Sequence, residues 1–180
     1  MLDATRRELR DEIDRIDDRQ HAAQAACLEH GGGGSSGCKL WVNDHWEAAV
    51  QAGAYGVHVG QEDLAAMSDD AIRSLAASGL RLGISTHSYA ELATALALRP
   101  SYISLGPIYE TTSKDVSKWG EQGLEKIEHW RQLVPEEIPL VAIGGITLER
   151  AGGVLQAGAE GIAVISAITK ADDRAEAGLE

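Results

Sequence analysis

Six short apolar runs alternate with stretches of helical periodicity, and this alternation narrows the possible folds more than any other feature. The runs are Leu40–Val42, Val57–Val59, Leu82–Ile84, Tyr102–Leu105, Leu140–Ile143 and Ile162–Ile165. Between them lie Trp46–Ala52, Asp69–Ala77, Ser88–Leu98, Glu121–Leu133 and Leu148–Ala157, whose apolar residues recur at helical spacing. Strands separated by helices of roughly 10–15 residues predict βαβ units and a parallel sheet. The expected class is α/β of the TIM (β/α)8-barrel type, with six strands legible against the eight a closed barrel needs.

Polar residues sit where such strands end. The first two runs lead into Asn43-Asp44-His45 and Gly60-Gln61-Glu62-Asp63, the third into Ser85-Thr86-His87. The fourth leads to Gly106 and then Thr111-Thr112-Ser113-Lys114, the fifth to Gly144-Gly145, the sixth to Ser166. Parallel α/β proteins build active sites at the carboxyl ends of their strands. Asp44 and Asp63 on neighbouring strands suit a hard cation such as Mg²⁺, which takes one or two carboxylates with water and phosphate oxygens. The competing account makes Asp44 a helix cap, Asp63 a turn residue, Ser88 and Thr147 N-caps and the glycines turn formers. That account leaves unexplained a lysine with three hydroxyls in one loop, and glycines and a serine at the last two strand ends, where barrels bind phosphate on backbone amides.

Composition removes several function classes. A net charge of −12 argues against nucleic acid and anionic membrane as partners. It leaves room for a phosphorylated small molecule held by amides and one lysine. Cys27 and Cys38 lack metal-ligand spacing and read as reduced thiols, so the cytoplasm is the expected compartment. His58 lies inside a strand and reads as a core imidazole or one behind the ligands. His45, His87 and His129 fall in no metal-binding pattern, and Trp41, Trp46, Trp119 and Trp130 read mainly as packing.

The front of the chain differs. Residues 1–30 predict an amphipathic helix on Leu9, Ile13 and Ile16, residues 31–37 a Gly/Ser-rich connector, and residues 38–180 the partial barrel with its rim.

The segments VNDHW, GAYGVHVGQEDL, RLGISTH, YISLGPIYETTSK, VAIGGI and GIAVISAI occur in an order and spacing that resemble the thiamine-phosphate synthase family over residues 38–170. The resemblance implies a TIM barrel that joins hydroxymethylpyrimidine diphosphate to thiazole phosphate, releases pyrophosphate and uses Mg²⁺. It implies that Asn43 contacts the diphosphate, that Asp44 and Asp63 bind Mg²⁺, and that Lys114 holds the diphosphate. Ser85 would bond the pyrimidine, and Thr111 and Ser113 would line the thiazole phosphate site. Gly145, Ile165 and Ser166 would receive that phosphate. Glu110 stands where the family often has proline, and Ser113 where it often has threonine.

The resemblance also leads to an expectation about the front: the family's first strand, first helix and second strand, with a Gln-Leu-Arg-x-Lys signature, have no counterpart here. Two further readings are a thiazole tautomerase-like protein, which needs no Mg²⁺, and a non-catalytic paralogue that binds thiazole phosphate. An incomplete barrel has open sheet edges, which invite pairing with another copy of the chain.

Overall fold

The computed structural model describes residues 39–51, 53–111 and 119–171. The predicted helix over 1–30, the connector over 31–37, and Thr112, Ser113 and Lys114 lie outside these residues. The described chain falls into two compact units, one of residues 39–58 and Ala66–Arg81, the other of Val59–Ala65 and residues 82–171.

In the first unit, β1 (Trp41–Asn43) pairs in parallel with β2 (Gly56–Val59), Val42 opposite Val57. Both valines are buried, as is Ala49 of the intervening helix α1 (Trp46–Gln51). A two-residue period turns Val42 inward and leaves Asn43 exposed. Gly56 is required by its neighbour: a Cβ there would lie 2.5 Å from the Trp41 ring. Trp41 meets Tyr55 edge-on at 5.6 Å, and Lys39 and Arg81 lie over the Tyr55 ring at 4.6 and 4.2 Å.

Helix α2 (Gln61–Ala66) follows β2, and α3 (Asp69–Ala77) belongs to the first unit. The Ser68 hydroxyl accepts from the Ala71 amide at 3.2 Å and starts α3, with Asp69 and Asp70 in its first turn.

The second unit carries β3 (Arg81–Thr86), β4 (Tyr102–Leu105), β5 (Leu140–Ile143) and β6 (Gly161–Ala163), hydrogen-bonded in that order and all parallel. Strands adjacent in space and successive in the chain are what βαβ connections build. The connecting helices are α4 (Tyr89–Ala97), α5 (Gly123–Leu133) and α6 (Leu148–Gln156), and a short α7 (Ser166–Thr169) follows β6. Ile84, Ile103, Leu105, Leu140 and Ala142 of the strands are buried, as are Leu92, Ala95, Ile127, Trp130 and Val154 of the helices. Polar groups inside this core are paired. The Trp130 Nε1–H donates to Thr86 Oγ1 at 3.0 Å, and the Thr86 hydroxyl donates to the Ser104 carbonyl at 2.9 Å.

The last strand is shorter than its apolar run predicted, while Thr147 and Ser88 both stand at the N-cap positions expected of them. β6 ends at Ala163 instead of Ile165, because the backbone from Val164 leaves the ladder to enter α7. Thr147 occupies the N-cap position of α6 but makes no capping bond, since its hydroxyl donates to Glu149 Oε2 at 2.7 Å. Ser88 does cap α4, accepting from the Glu91 amide at 3.3 Å.

Candidate active site

Because neighbouring strands run parallel, their carboxyl ends share one edge, and the polar residues that follow them converge there within each unit.

In the first unit Asp44 follows β1 with φ 64°, the left-handed region that Asp tolerates better than most side chains. Its amide donates to the His58 carbonyl at 2.7 Å, and the His45 amide closes a three-residue turn onto the Asn43 carbonyl at 2.8 Å. The Asn43 amide group donates to Asp44 Oδ2. A non-glycine residue held in such a tight turn is a conformation that accumulates at functional sites.

In the second unit Asp63 sits exposed in the first turn of α2. Two residues before it, Gln61 Nε2 donates to the Ser85 carbonyl at 2.6 Å, while Ser85 Oγ lies 3.3 Å from Ser104 Oγ. Ser85 is thus fixed through its backbone by Gln61 and through its hydroxyl by a serine only 3% exposed. Just past β3, His87 is anchored twice to Glu91 Oε2, by its amide at 2.7 Å and by Nδ1 at 3.0 Å. Its ring stacks on Trp119, with centroids 4.0 Å apart and planes 17° apart.

Beyond β4 and β5 the two segments stay together. The Ile108 amide donates to the Ile143 carbonyl at 2.9 Å and the Tyr109 amide to the Gly144 carbonyl at 3.0 Å. The cis peptide Gly106–Pro107 lies at the start of this segment. Side chains are excluded where the backbones touch. A Cβ on Gly106 would lie 2.6 Å from the Ile143 carbonyl oxygen, and one on Gly145 would lie 2.4 Å from that of Glu110. Gly145 also has φ +63°, which a side chain rarely adopts. Thr111 directly follows Glu110, so the sequence-predicted residues Thr111 and Gly145 come from segments in contact.

The amide N–H groups of Gly145 and Ile146 have no acceptor among the described residues, although Ile146 is only 5% exposed. Consecutive unpaired amides at a strand end suit an anion. Beyond β6, Ile165 is exposed and Ser166 opens α7 half-buried. Nearby, the Thr147 hydroxyl, Glu149's own amide and Arg150, in decreasing order, hold the Glu149 carboxyl below its usual range.

Sequence reasoning overlooked Gln61, Ser104 and Arg150. Gln61 could have been noticed because it shares a motif with Asp63. Arg150 gave no signal, since it looks like any charged residue on a helix. Among the described residues no three His, Cys, Asp or Glu groups gather as metal ligands, and none of the helices is long and apolar enough to cross a membrane. Mg²⁺ asks for less than such a cluster.

The model of the thiamine monophosphate synthase family matches residues 6–168. The thiamine-phosphate synthase of Rhizobium etli is 46% identical over 165 residues, covering 92% of this chain and 72% of the relative. That of an Enterobacter species is 49% identical over 138 residues, with 76% of this chain and 63% of the relative covered. In three dimensions the chain is similar to a thiamine phosphate pyrophosphorylase from Pyrococcus furiosus, with a TM-score of 0.73, 29% identity, and 91% and 72% of the two chains covered. The chain therefore belongs to the thiamine-phosphate synthase family of transferases, with an α/β fold of the TIM-barrel type that shows six of its strands among the described residues.

Proposed function

We propose that this chain couples hydroxymethylpyrimidine diphosphate to thiazole phosphate and releases pyrophosphate, as a step of thiamine biosynthesis. The observation that carries the reading is the Gly145–Ile146 backbone: two amides without protein acceptors among the described residues, next to the segment that leads into Thr111. This is how a protein with a charge of −12 can hold a dianionic phosphate without a basic cluster.

In this scheme the thiazole phosphate rests on Gly145, Ile165 and Ser166, with Thr111 and Ser113 alongside. Ser85, fixed by Gln61 and Ser104, bonds the pyrimidine. Asn43 and Lys114 hold the diphosphate. The bond between the pyrimidine methylene carbon and the diphosphate oxygen breaks, both electrons leave with pyrophosphate, and the thiazole nitrogen lone pair forms the new bond to that carbon. Holding both partners by their phosphates makes the encounter effectively unimolecular. Asp44 and Asp63 offer hard oxygen donors of the kind Mg²⁺ prefers. When bound, the ion supplies positive charge against the diphosphate oxygens.

The test is pyrophosphate release with the full chain, both substrates and Mg²⁺. Release that needs all three supports the proposal. Thiazole phosphate binding without release would favour a non-catalytic binding protein, and neither binding nor release would overturn the assignment for this chain.

A further inference from the structure

Arg150 lies on the first turn of α6, outside every motif that carries the resemblance, and makes two contacts to the loops around the candidate phosphate cradle. Its Nη1 donates to the Gly145 carbonyl at 2.7 Å. Its guanidinium lies 4.4 Å from the centroid of the Tyr109 ring. Tyr109 is in turn tied to the cradle by its amide on the Gly144 carbonyl.

The Gly145 carbonyl and the Ile146 N–H belong to one planar peptide and point in opposite directions. Whatever holds the carbonyl therefore aims the N–H. This peptide turns about ψ of Gly145 and φ of Ile146. Gly145, already at φ +63° and without a Cβ, restricts that turn less than any other residue would, so a contact from outside the backbone is what fixes it. The guanidinium is suited to the task. It stays charged, donates to the carbonyl and lies over the Tyr109 ring, where its cation meets the face of the π system.

We propose that Arg150 is a positioning residue for the acceptor phosphate: by gripping the Gly145 carbonyl while lying over the Tyr109 ring, it locks the Gly145–Ile146 peptide with its amide turned to receive the phosphate. The role rests on the function proposed above, and it predicts selectivity between the two substrates. Loss of Arg150 should weaken the phosphorylated thiazole and leave the pyrimidine diphosphate alone, because the grip acts on one peptide.

The experiment is calorimetric titration of the full chain with thiazole phosphate, with the unphosphorylated thiazole alcohol and with the pyrimidine diphosphate, together with steady-state kinetics. Arg150→Gln should weaken thiazole phosphate about tenfold, the scale of one charge-assisted hydrogen bond. The KM for that substrate should rise in parallel with kcat largely kept, while binding of the alcohol and of the diphosphate stays as in the wild type. Arg150→Lys should fall between, since a single ammonium can bond the carbonyl but cannot reach the carbonyl and the Tyr109 ring with separate parts of one broad cation. Tyr109→Leu should move thiazole phosphate affinity the same way with Arg150 intact.

Unchanged affinity in Arg150→Gln would overturn the role. So would equal losses for both substrates with a lowered melting temperature, which would mark a purely structural contact. A wild-type chain that binds no thiazole phosphate would overturn the proposed function itself, and that failure shows in the wild type before any variant is compared.

Discussion

The indole Nε1–H of Trp130 donates to Oγ1 of Thr86 at 3.0 Å, and solvent reaches neither residue. This bond joins α5 to the carboxyl end of β3, immediately after Ser85 and before His87. Thr86→Val keeps the shape but strands a buried indole N–H. It should cost about 1–3 kcal/mol in urea unfolding, whereas Thr86→Ser should cost less because the hydroxyl survives.

Two glycines near α6 should respond oppositely to alanine. Gly145→Ala puts a methyl 2.4 Å from the Glu110 carbonyl oxygen at φ +63°, so thiazole phosphate binding should drop by more than about tenfold. Gly152 lies within the helix and has open space around its added Cβ. Gly152→Ala should raise stability by about 0.4–1 kcal/mol with affinity unchanged, a contrast readable by thermal denaturation and titration together.

Gln61 gives a second positional test. Its amide group fixes the Ser85 carbonyl at 2.6 Å. Gln61→Leu should raise KM for the pyrimidine diphosphate roughly tenfold and leave thiazole phosphate affinity intact, the mirror image of the Arg150 result. Equal effects on both substrates would argue for general loosening of the rim.

At the opposite end of β5, one carboxylate does two jobs. Glu160 Oε2 accepts from the Leu140 amide at 2.7 Å and from Arg131 Nη1 at 2.6 Å, while Arg131 also donates to the carbonyls of Val134 and Pro135 at 2.7 and 2.8 Å. Glu160→Ala leaves the strand amide without its acceptor and takes from Arg131 its carboxylate partner, while the guanidinium keeps its backbone carbonyls. A loss of about 1–3 kcal/mol is expected, measured by chemical unfolding at neutral pH, with little change in substrate binding.

Alkaline pH should find a different weak point. Burial pushes the Tyr102 phenol up to about 12 from 10.0, because the phenolate would lose its solvation. The folded state therefore keeps the proton that the unfolded chain releases above pH 10. The stability contribution is whole below pH 10 and is lost as pH climbs through 12. Tyr102→Phe should flatten this alkaline limb of the unfolding profile. An identical slope in the variant would place the titration elsewhere.

Much of the chain could be read without coordinates. Tyr102–Leu105 and Leu140–Ile143 are strands with the bounds their apolar pattern predicted, since neither strand has an exposed residue and only Ser104 interrupts the apolar side chains. Helix α2 was harder, because six residues beginning Gln-Glu-Asp resemble a turn as much as a helix. The family, too, was legible from motif order alone.

Local pattern determined which residues form strands and helices, and it placed polar groups at the strand ends, because side-chain periodicity and turn chemistry act over a few neighbours. Tertiary structure alone decided what those ends touch. It brought Glu110 against Gly145, Gln61 onto Ser85 across 24 residues, and Arg150 onto both Gly145 and Tyr109. Contacts of that kind depend on strand register and on helices folding back across the sheet, neither of which leaves a periodic trace in the residues involved.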